Sequence, residues 1–263
     1  MPLGKRVAVQ SDACGGLHMS VITTETFLSD IKTCLEQAEE HRRRTGRPFC
    51  TLTYAQSVDG SIACNPMTPM ALSGHESALL THHLRAWHDA ILVGIHTVLA
   101  DNPRLNVRLI SGQSPQPVVL DSKLRMPLDS NLLNDGIRRP WIATTKKAGS
   151  SRQHHLETSG AQVFRFPPNH LGWVALEPLL DKMGRMGVNS LMVEGGARVL
   201  TSFMKARMVD QMIITIAPLI VGGVHAYSRL SRDPALLPRL HEMRHANFGR
   251  DLVVWCRPAW EEE

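Results

Sequence analysis

The sequence predicts an α/β fold in which helices pack on a mostly parallel central sheet and the last strands form an antiparallel edge. Three observations carry this prediction. From residue 48 onward, short apolar segments of strand length alternate with segments of helical periodicity. The apolar segments are continuous, as expected for strands buried between layers of helices. The last two apolar segments are joined by an irregular stretch rather than a helix, which favours an antiparallel edge.

The first predicted helix covers residues 24–44. Phe27 and Ile31 fall on its apolar face, and Gly46 followed by Pro48 is a helix stop. Residues 1–22 show no sustained periodicity and are expected to be irregular.

The chain is therefore expected to have an N-terminal extension with one amphipathic helix, residues 1–47, and a main domain, residues 48–263. Each strand of the main domain is a short apolar run closed by a polar or glycine-containing turn. Each of its longer helices has apolar residues at helical spacing, as Leu80, Leu84 and Trp87 illustrate. In order, the predicted elements are strand 49–55, helix 77–88, strand 90–95, helix 97–100, strands 117–120, 141–144 and 161–166, helix 173–186, strand 190–193, helix 197–206 and strands 212–217 and 252–256.

Composition excludes several classes of function. The 263 residues are 43% hydrophobic and 20% charged, as in a globular protein. No apolar run approaches the roughly 20 residues of a membrane helix, and the N-terminus lacks a signal-peptide core. We therefore expect a cytoplasmic protein without a membrane partner. The net charge is +5, but aromatic residues are only 5% and do not interleave with basic ones, so no nucleic-acid partner is expected.

The cysteines and histidines do not indicate a metal site. Five scattered cysteines contain no C-x-x-C pair, which argues against a zinc site or a disulfide framework. The pairs His82-His83 and His154-His155 are adjacent residues, which point apart on a helix. Neither H-E-x-x-H nor the zinc-deaminase signature occurs.

In such sheets ligands bind beyond the carboxyl ends of the strands. One candidate there is the turn formed by Glu194, Gly195, Gly196 and Ala197, between a buried strand and a helix. Glycines let the backbone approach a ligand, and the helix N-terminus offers N–H groups to a phosphate. The alternative is a tight turn in which Glu194 caps its own amides.

A second candidate loop spans residues 97–108. Thr97 can cap a short helix that ends near Asp101, and Arg104 and Arg108 follow it. Arginine binds phosphate through paired hydrogen bonds, so the loop suits a phosphorylated ligand. The alternative is a capped turn with two solvated arginines.

A third candidate follows the first strand of the main domain. Ser57 and Asp59 place polar groups at the edge of the expected site, and Asp59-Gly60 is also a plain turn signal.

Together these segments resemble the pyrimidine reductases of riboflavin biosynthesis. The matching pieces occur in the family's order across residues 48–257, and the ordered set is specific although each piece alone is weak. They are residues 51–60, 84–86, 88–94, 97–108, 118–122, 193–197, 217–218 and 222–223. Bacterial relatives often carry lysine where this chain has Thr53 and tryptophan near Ala71, so the form is closer to the fungal and archaeal reductases.

The resemblance implies a dihydrofolate-reductase-like fold, NADPH as cofactor, a homodimer, and reduction of the ribosylamino group of a pyrimidine 5′-phosphate. The implied cofactor contacts are Thr97, Asp101, Ser122, Glu194, Gly195, Gly196 and Ala197. The implied substrate contacts are Ser57, Arg85, Leu105, Arg108 and Glu194. Among the acidic groups, Glu194 and Asp59 are the candidates to organise the ribose hydroxyls or relay a proton.

Two other functions remain open from the sequence alone. One is a reductase of the same fold that acts on a pterin-like or secondary-metabolite precursor. The other is a non-catalytic relative that binds a flavin or nucleotide.

Overall fold

A mixed sheet and its flanking helices form the protein, whose computed structural model describes residues 20–68, 70–135 and 137–260. The strands are β1 (Ser20–Val21), β2 (Phe49–Ser57), β3 (Ser61–Ala63), β4 (Ala90–Gly94), β5 (Gln116–Leu120), β6 (Trp141–Thr145), β7 (Gln162–Phe166), β8 (Ser190–Glu194), β9 (Gln211–Ala217), β10 (Val224–His225), β11 (Arg239–Phe248) and β12 (Asp251–Ala259). The helices are α1 (Thr24–Glu36), α2 (Ala38–Thr45), α3 (His75–Trp87), α4 (Ile95–Asp101), α5 (Asn131–Asn134), α6 (Ser150–Thr158), α7 (Leu176–Arg185), α8 (Ala197–Lys205) and a 3-10 turn (Pro234–Leu236).

The main sheet has ten strands in the order β1-β11-β12-β9-β2-β8-β4-β5-β6-β7. The seven strands from β9 to β7 pair in parallel, whereas β12 pairs antiparallel with both β9 and β11. The predicted α/β class, with its parallel centre and antiparallel C-terminal edge, is therefore confirmed.

The sheet separates two apolar cores. In β4, Ile91 and Val93 face one core while Ala90 and Leu92 face the other, because successive side chains of a strand point to opposite faces. Helices α1, α3 and α6 supply residues to the first core, and α7 and α8 supply the second. Burial on both sides explains why the central strands are continuously apolar.

The N-terminal segment differs from the single helix predicted over residues 24–44. The structure has two helices, and the break lies at Gln37. Phe27 of α1 packs edge-to-face against Phe248 of β11, whereas His41 of α2 packs against Phe49 of β2. The break lets the two helices follow different strands, which a helical-periodicity pattern does not reveal.

Three strands, β3, β10 and β11, escape prediction from apolar runs. In β11 only Ala246 and Phe248 are buried, so its sequence reads as irregular. The short strands β3 and β10 pair with each other in a separate two-stranded sheet. In the described part of the chain, no helix has the length and apolar character needed to cross a bilayer.

Candidate active site

The three candidate loops all leave the sheet at the carboxyl ends of parallel strands. Glu194, the last residue of β8, lies opposite Thr53 of β2, and Val193 lies opposite Leu92 of β4. Loops that follow β2, β4 and β8 therefore leave the sheet side by side. Strand β2 continues past this level to Ser57, which pairs with Ala217 of β9.

An ion pair between Arg85 and Glu194 joins α3 to the end of β8. Arg85 Nη2 lies 2.9 Å from each Glu194 carboxylate oxygen, and Arg85 Nε donates to Oε2 at 3.2 Å. The Arg85 side chain is only 9% exposed, whereas that of Glu194 is 32% exposed. Paired hydrogen bonds fix the plane of a carboxylate, so Glu194 is held in one orientation with part of its surface open to a ligand.

The loop after α4 has an unusual backbone. Asn102 ends the helix in the left-handed region at φ 42°, and Leu105 has φ 54° with its side chain 2% exposed. A positive φ is uncommon for leucine, and here it turns the side chain into the core. Leu105 thus anchors the loop that presents Arg104 and Arg108.

Arg108 is affected electrostatically by two other arginines and by Glu194. Burial and the nearby charges of Arg85 and Arg104 lower the pKa of Arg108, and Glu194 opposes this effect. Partial loss of solvent, and then the Glu194 charge, raise the pKa of Asp101. A phosphate dianion near the arginines would relieve their mutual repulsion.

Asp59 lies in a network that ties two loops together. Its carboxylate accepts hydrogen bonds from the hydroxyls of Ser57 (2.5 Å) and Ser61 (2.8 Å). It also accepts backbone N–H bonds from Val221 (3.0 Å) and Gly222 (2.8 Å). These donors, with Ser57 first, hold the pKa of Asp59 well below its usual range. The contacts favour a positioning role for Asp59 over the proton relay considered from the sequence.

The turn after β8 approaches the turn after β4 closely. A Cβ on Gly195 would lie 2.7 Å from Val199 Cβ, and one on Gly94 would lie 2.8 Å from Val199 Cγ2. A Cβ on Gly196 would lie 3.9 Å from Thr97 Oγ1, so these two turns face each other. No side chain caps the N-terminus of α8, which begins at Ala197. Backbone donors at this turn are therefore available to a bound phosphate.

Ser122 connects the end of β5 to the segment before α7. Its hydroxyl accepts a hydrogen bond from Val174 N at 3.1 Å, and its carbonyl accepts one from Thr145 Oγ1 at 2.9 Å. Ser122 thus lies at the same edge of the sheet as the glycine turn, and both of these hydrogen bonds are to protein groups.

Sequence reasoning missed a basic cluster beside the glycine turn. His96 Nε2 lies 3.5 Å from Arg125 Nη2 and 3.4 Å from Arg198 Nη1. Burial, then Arg125 and Arg198, lower the pKa of His96. Buried Asp121 interacts electrostatically with Arg125, but neither arginine has a carboxylate ion-pair partner in the described ranges. Each of these three basic residues lies close in sequence to a candidate cofactor-binding residue, and this proximity could have identified the cluster.

The described residues contain no group of three or more histidine, cysteine, aspartate or glutamate side chains placed to hold a metal ion.

Comparison with known proteins identifies the family of this chain. The profile of the RibD C-terminal domain family matches residues 48–254. The chain is 32% identical over 236 residues to riboflavin biosynthesis protein RibD of Aquifex aeolicus, covering 87% of this chain but only 64% of that protein. It is 36% identical over 187 residues to the 2,5-diamino-6-ribosylamino-4(3H)-pyrimidinone 5′-phosphate reductase of Archaeoglobus fulgidus, covering 67% of this chain and 83% of that protein. The solved Saccharomyces riboflavin biosynthesis reductase Rib7 superposes with a TM-score of 0.67 at 29% identity, covering 88% of this chain and all of that one.

Proposed function

The chain belongs to the RibD C-terminal domain family, and from this premise we propose that it is an NADPH-dependent reductase of riboflavin biosynthesis. Its substrate would be a pyrimidine 5′-phosphate whose ribosylamino group is reduced to ribitylamino. We assign the activity to residues 48–263, with residues 1–47 as an extension, since the family profile begins at residue 48. The observation that carries the proposal is the Glu194 carboxylate at the carboxyl edge of the sheet, oriented by Arg85 and in electrostatic interaction with Arg108.

The described side chains suit the two ends of such a substrate. Arg108, with Arg104 beside it, would bind the 5′-phosphate, because guanidinium groups pair well with phosphate oxygens. Glu194, held by Arg85, would accept hydrogen bonds from the ribose hydroxyls. Ser57 lies at the end of the neighbouring strand β2, where the Asp59 network fixes its loop.

The turn between β8 and α8 suits the cofactor that we propose. Gly195, Gly196 and Ala197 would present backbone N–H groups to its pyrophosphate, and Thr97 faces Gly196 from the neighbouring turn. When bound, the nicotinamide would supply the hydride that reduces C1′ of the substrate. Asp101 and Ser122 complete the cofactor contacts that we propose.

The residues of this chain would mainly align the substrate and move a proton. Ring opening breaks the C1′–O4′ bond, transfers the amine proton to O4′ and leaves a C1′=N imine. Reduction adds a hydride to C1′ and a proton to the nitrogen. Glu194 is a partly exposed carboxylate paired with Arg85. It is our candidate for organising the ribose hydroxyls or relaying that proton.

Absorbance at 340 nm tests the proposal directly. NADPH oxidation is followed with the diaminopyrimidinone and the aminouracil ribosylamine phosphates in parallel, and with dihydrofolate as a control substrate. Turnover of either pyrimidine supports the proposal, and the faster one places the enzyme before or after deamination. Turnover of dihydrofolate alone would contradict it, as would NADPH binding without turnover of either pyrimidine.

Preference for NADPH over NADH would come from the basic cluster beside the glycine turn. It is formed by His96, Arg125 and Arg198, whose side-chain nitrogens lie close together. In Arg125→Gln/Arg198→Gln we expect the KM for NADPH to rise about 10- to 100-fold, since hydrogen bonds to charged groups contribute roughly 1.5–3 kcal/mol. The KM for NADH should change little. Lys205→Gln, at the far end of α8, is a control for the loss of a positive charge outside the cluster. Equal loss with both cofactors would contradict this role.

We also propose a homodimer that forms through the antiparallel edge. Helix α1 covers one face of β11 and β12. The other face of this edge carries apolar side chains that are only partly buried against the second core, namely Ile214, Leu240, Met243 and Trp260. A second copy would cover these apolar groups. Sedimentation equilibrium should give twice the chain mass of 29.2 kDa, and a monomer at micromolar concentration would refute the dimer.

A further inference from the structure

Helix α3 holds both sides of the loop that carries Arg108. From Arg85, Nη1 donates to the Asn106 carbonyl at 3.2 Å. One turn earlier, His82 Nδ1 accepts from the backbone N–H of Arg108 at 3.0 Å and from that of Leu109 at 3.4 Å. Helix α3 therefore provides both a donor for a backbone carbonyl and an acceptor for backbone N–H groups of the same loop.

To accept these hydrogen bonds, His82 must have a neutral ring with a lone pair on Nδ1. The His82 side chain is only 3% exposed. This burial, followed by the charges of Arg85 and Arg108, lowers the pKa of His82 to about 4, while Glu194 opposes and His83 adds to the effect. His82 is thus an uncharged acceptor at neutral pH, with its proton on Nε2.

These hydrogen bonds to the loop backbone matter because the Arg108 guanidinium has few contacts of its own. Within the residues that the structure describes, its hydrogen-bond partner is Asn106 Oδ1, at 3.2 Å, in the same loop. Asn106 moves with the loop, so the direction of Arg108 depends on the contacts that tie the loop to α3. His82 and Arg85 supply those contacts.

We propose that His82 is a positioning residue that aims Arg108 at the substrate phosphate by accepting the amides of Arg108 and Leu109. The inference rests on the proposed phosphate-binding role of Arg108. It adds to α3 a second residue that serves the site without touching the reacting atoms.

Three variants of His82 separate this role from general packing. His82→Leu and His82→Gln remove the acceptor at Nδ1, whereas His82→Asn places an amide oxygen near the same position. We expect the first two to raise the KM for the pyrimidine phosphate about tenfold, with kcat and the KM for NADPH changed less than twofold. His82→Asn should restore most of the affinity. A uniform loss of kcat and both KM values, or no rescue by asparagine, would overturn the proposal.

A double-mutant cycle tests whether His82 acts through Arg108. Once Arg108→Ala has removed the guanidinium, adding His82→Gln should raise the substrate KM no further, so the two effects should not be additive. Additive effects would mean that His82 acts independently and would refute the inference.

Hydrogen exchange provides a readout that does not depend on turnover. The amides of residues 108 and 109 should exchange faster in His82→Gln than in the wild type, and at nearly the wild-type rate in His82→Asn. If these two amides exchange at the wild-type rate in His82→Gln, His82 does not position the loop, even if the enzyme is active. An inactive wild type with the expected exchange pattern would instead refute the proposed function and leave the loop contact standing.

Discussion

Glu194→Gln is expected to lower kcat/KM for the pyrimidine phosphate about 100-fold, within the range associated with a group that moves a proton. The isosteric amide can occupy the same space. However, it cannot accept hydrogen bonds from both Arg85 and the ribose hydroxyls through two equivalent oxygens. It also leaves the buried Arg85 guanidinium without a counter-charge.

The comparison needs a carboxylate outside the site. Glu36→Gln, in the last turn of α1, is exposed and provides that control with unchanged kinetics. Thermal unfolding of both variants shows whether a loss of activity reflects a loss of fold. If a folded Glu194→Gln enzyme keeps its wild-type kcat and KM, Glu194 has no part in the mechanism.

Gly184→Ala is expected to destabilise the fold by about 3 kcal/mol, at the upper end of the usual cost of overpacking. Gly184 lies inside α7, where an added Cβ would be 2.8 Å from the Gly46 carbonyl carbon and closer still to its oxygen. Both atoms belong to the backbone that leads into β2, and no rotamer change can move them away. The methyl group would therefore push α7 away from the start of β2.

Urea unfolding measures this effect, with Gly149→Ala as a matched substitution. Gly149 has an ordinary φ of −65°, and a Cβ there would meet no atom within 4 Å. Its replacement should change the free energy of unfolding by less than about 1 kcal/mol, the typical scale of an N-cap change. Equal stability of the two variants would show that α7 can shift at little cost.

The location of the candidate site could be predicted from local patterns in the sequence. Apolar runs of strand length predict β2, β4 and β8, and polar or glycine residues follow each of them. In a parallel sheet those loops leave on one edge, so Ser57, Thr97 and Glu194 could be assigned to a common region without coordinates. The family resemblance, now confirmed by the profile over residues 48–254, rests on the same segments.

The contacts within the site were not predictable in this way. Arg85 and Glu194 are 109 residues apart, and the sequence contains no sign that α3 would place one against the other. Likewise, Asp59 could be read as a free acid until the structure placed the amides of Val221 and Gly222 on it.

The sequence by itself determined the class of fold and the loops that form the candidate site, because these depend on periodicity and turn chemistry within short segments. Only the tertiary structure decided how the polar side chains pair. Glu194 is oriented by Arg85, and His96 meets Arg125 and Arg198, through contacts between elements distant in the chain. Such pairing depends on which strands lie side by side and on the angle at which each helix crosses them, and neither quantity is encoded in a local pattern.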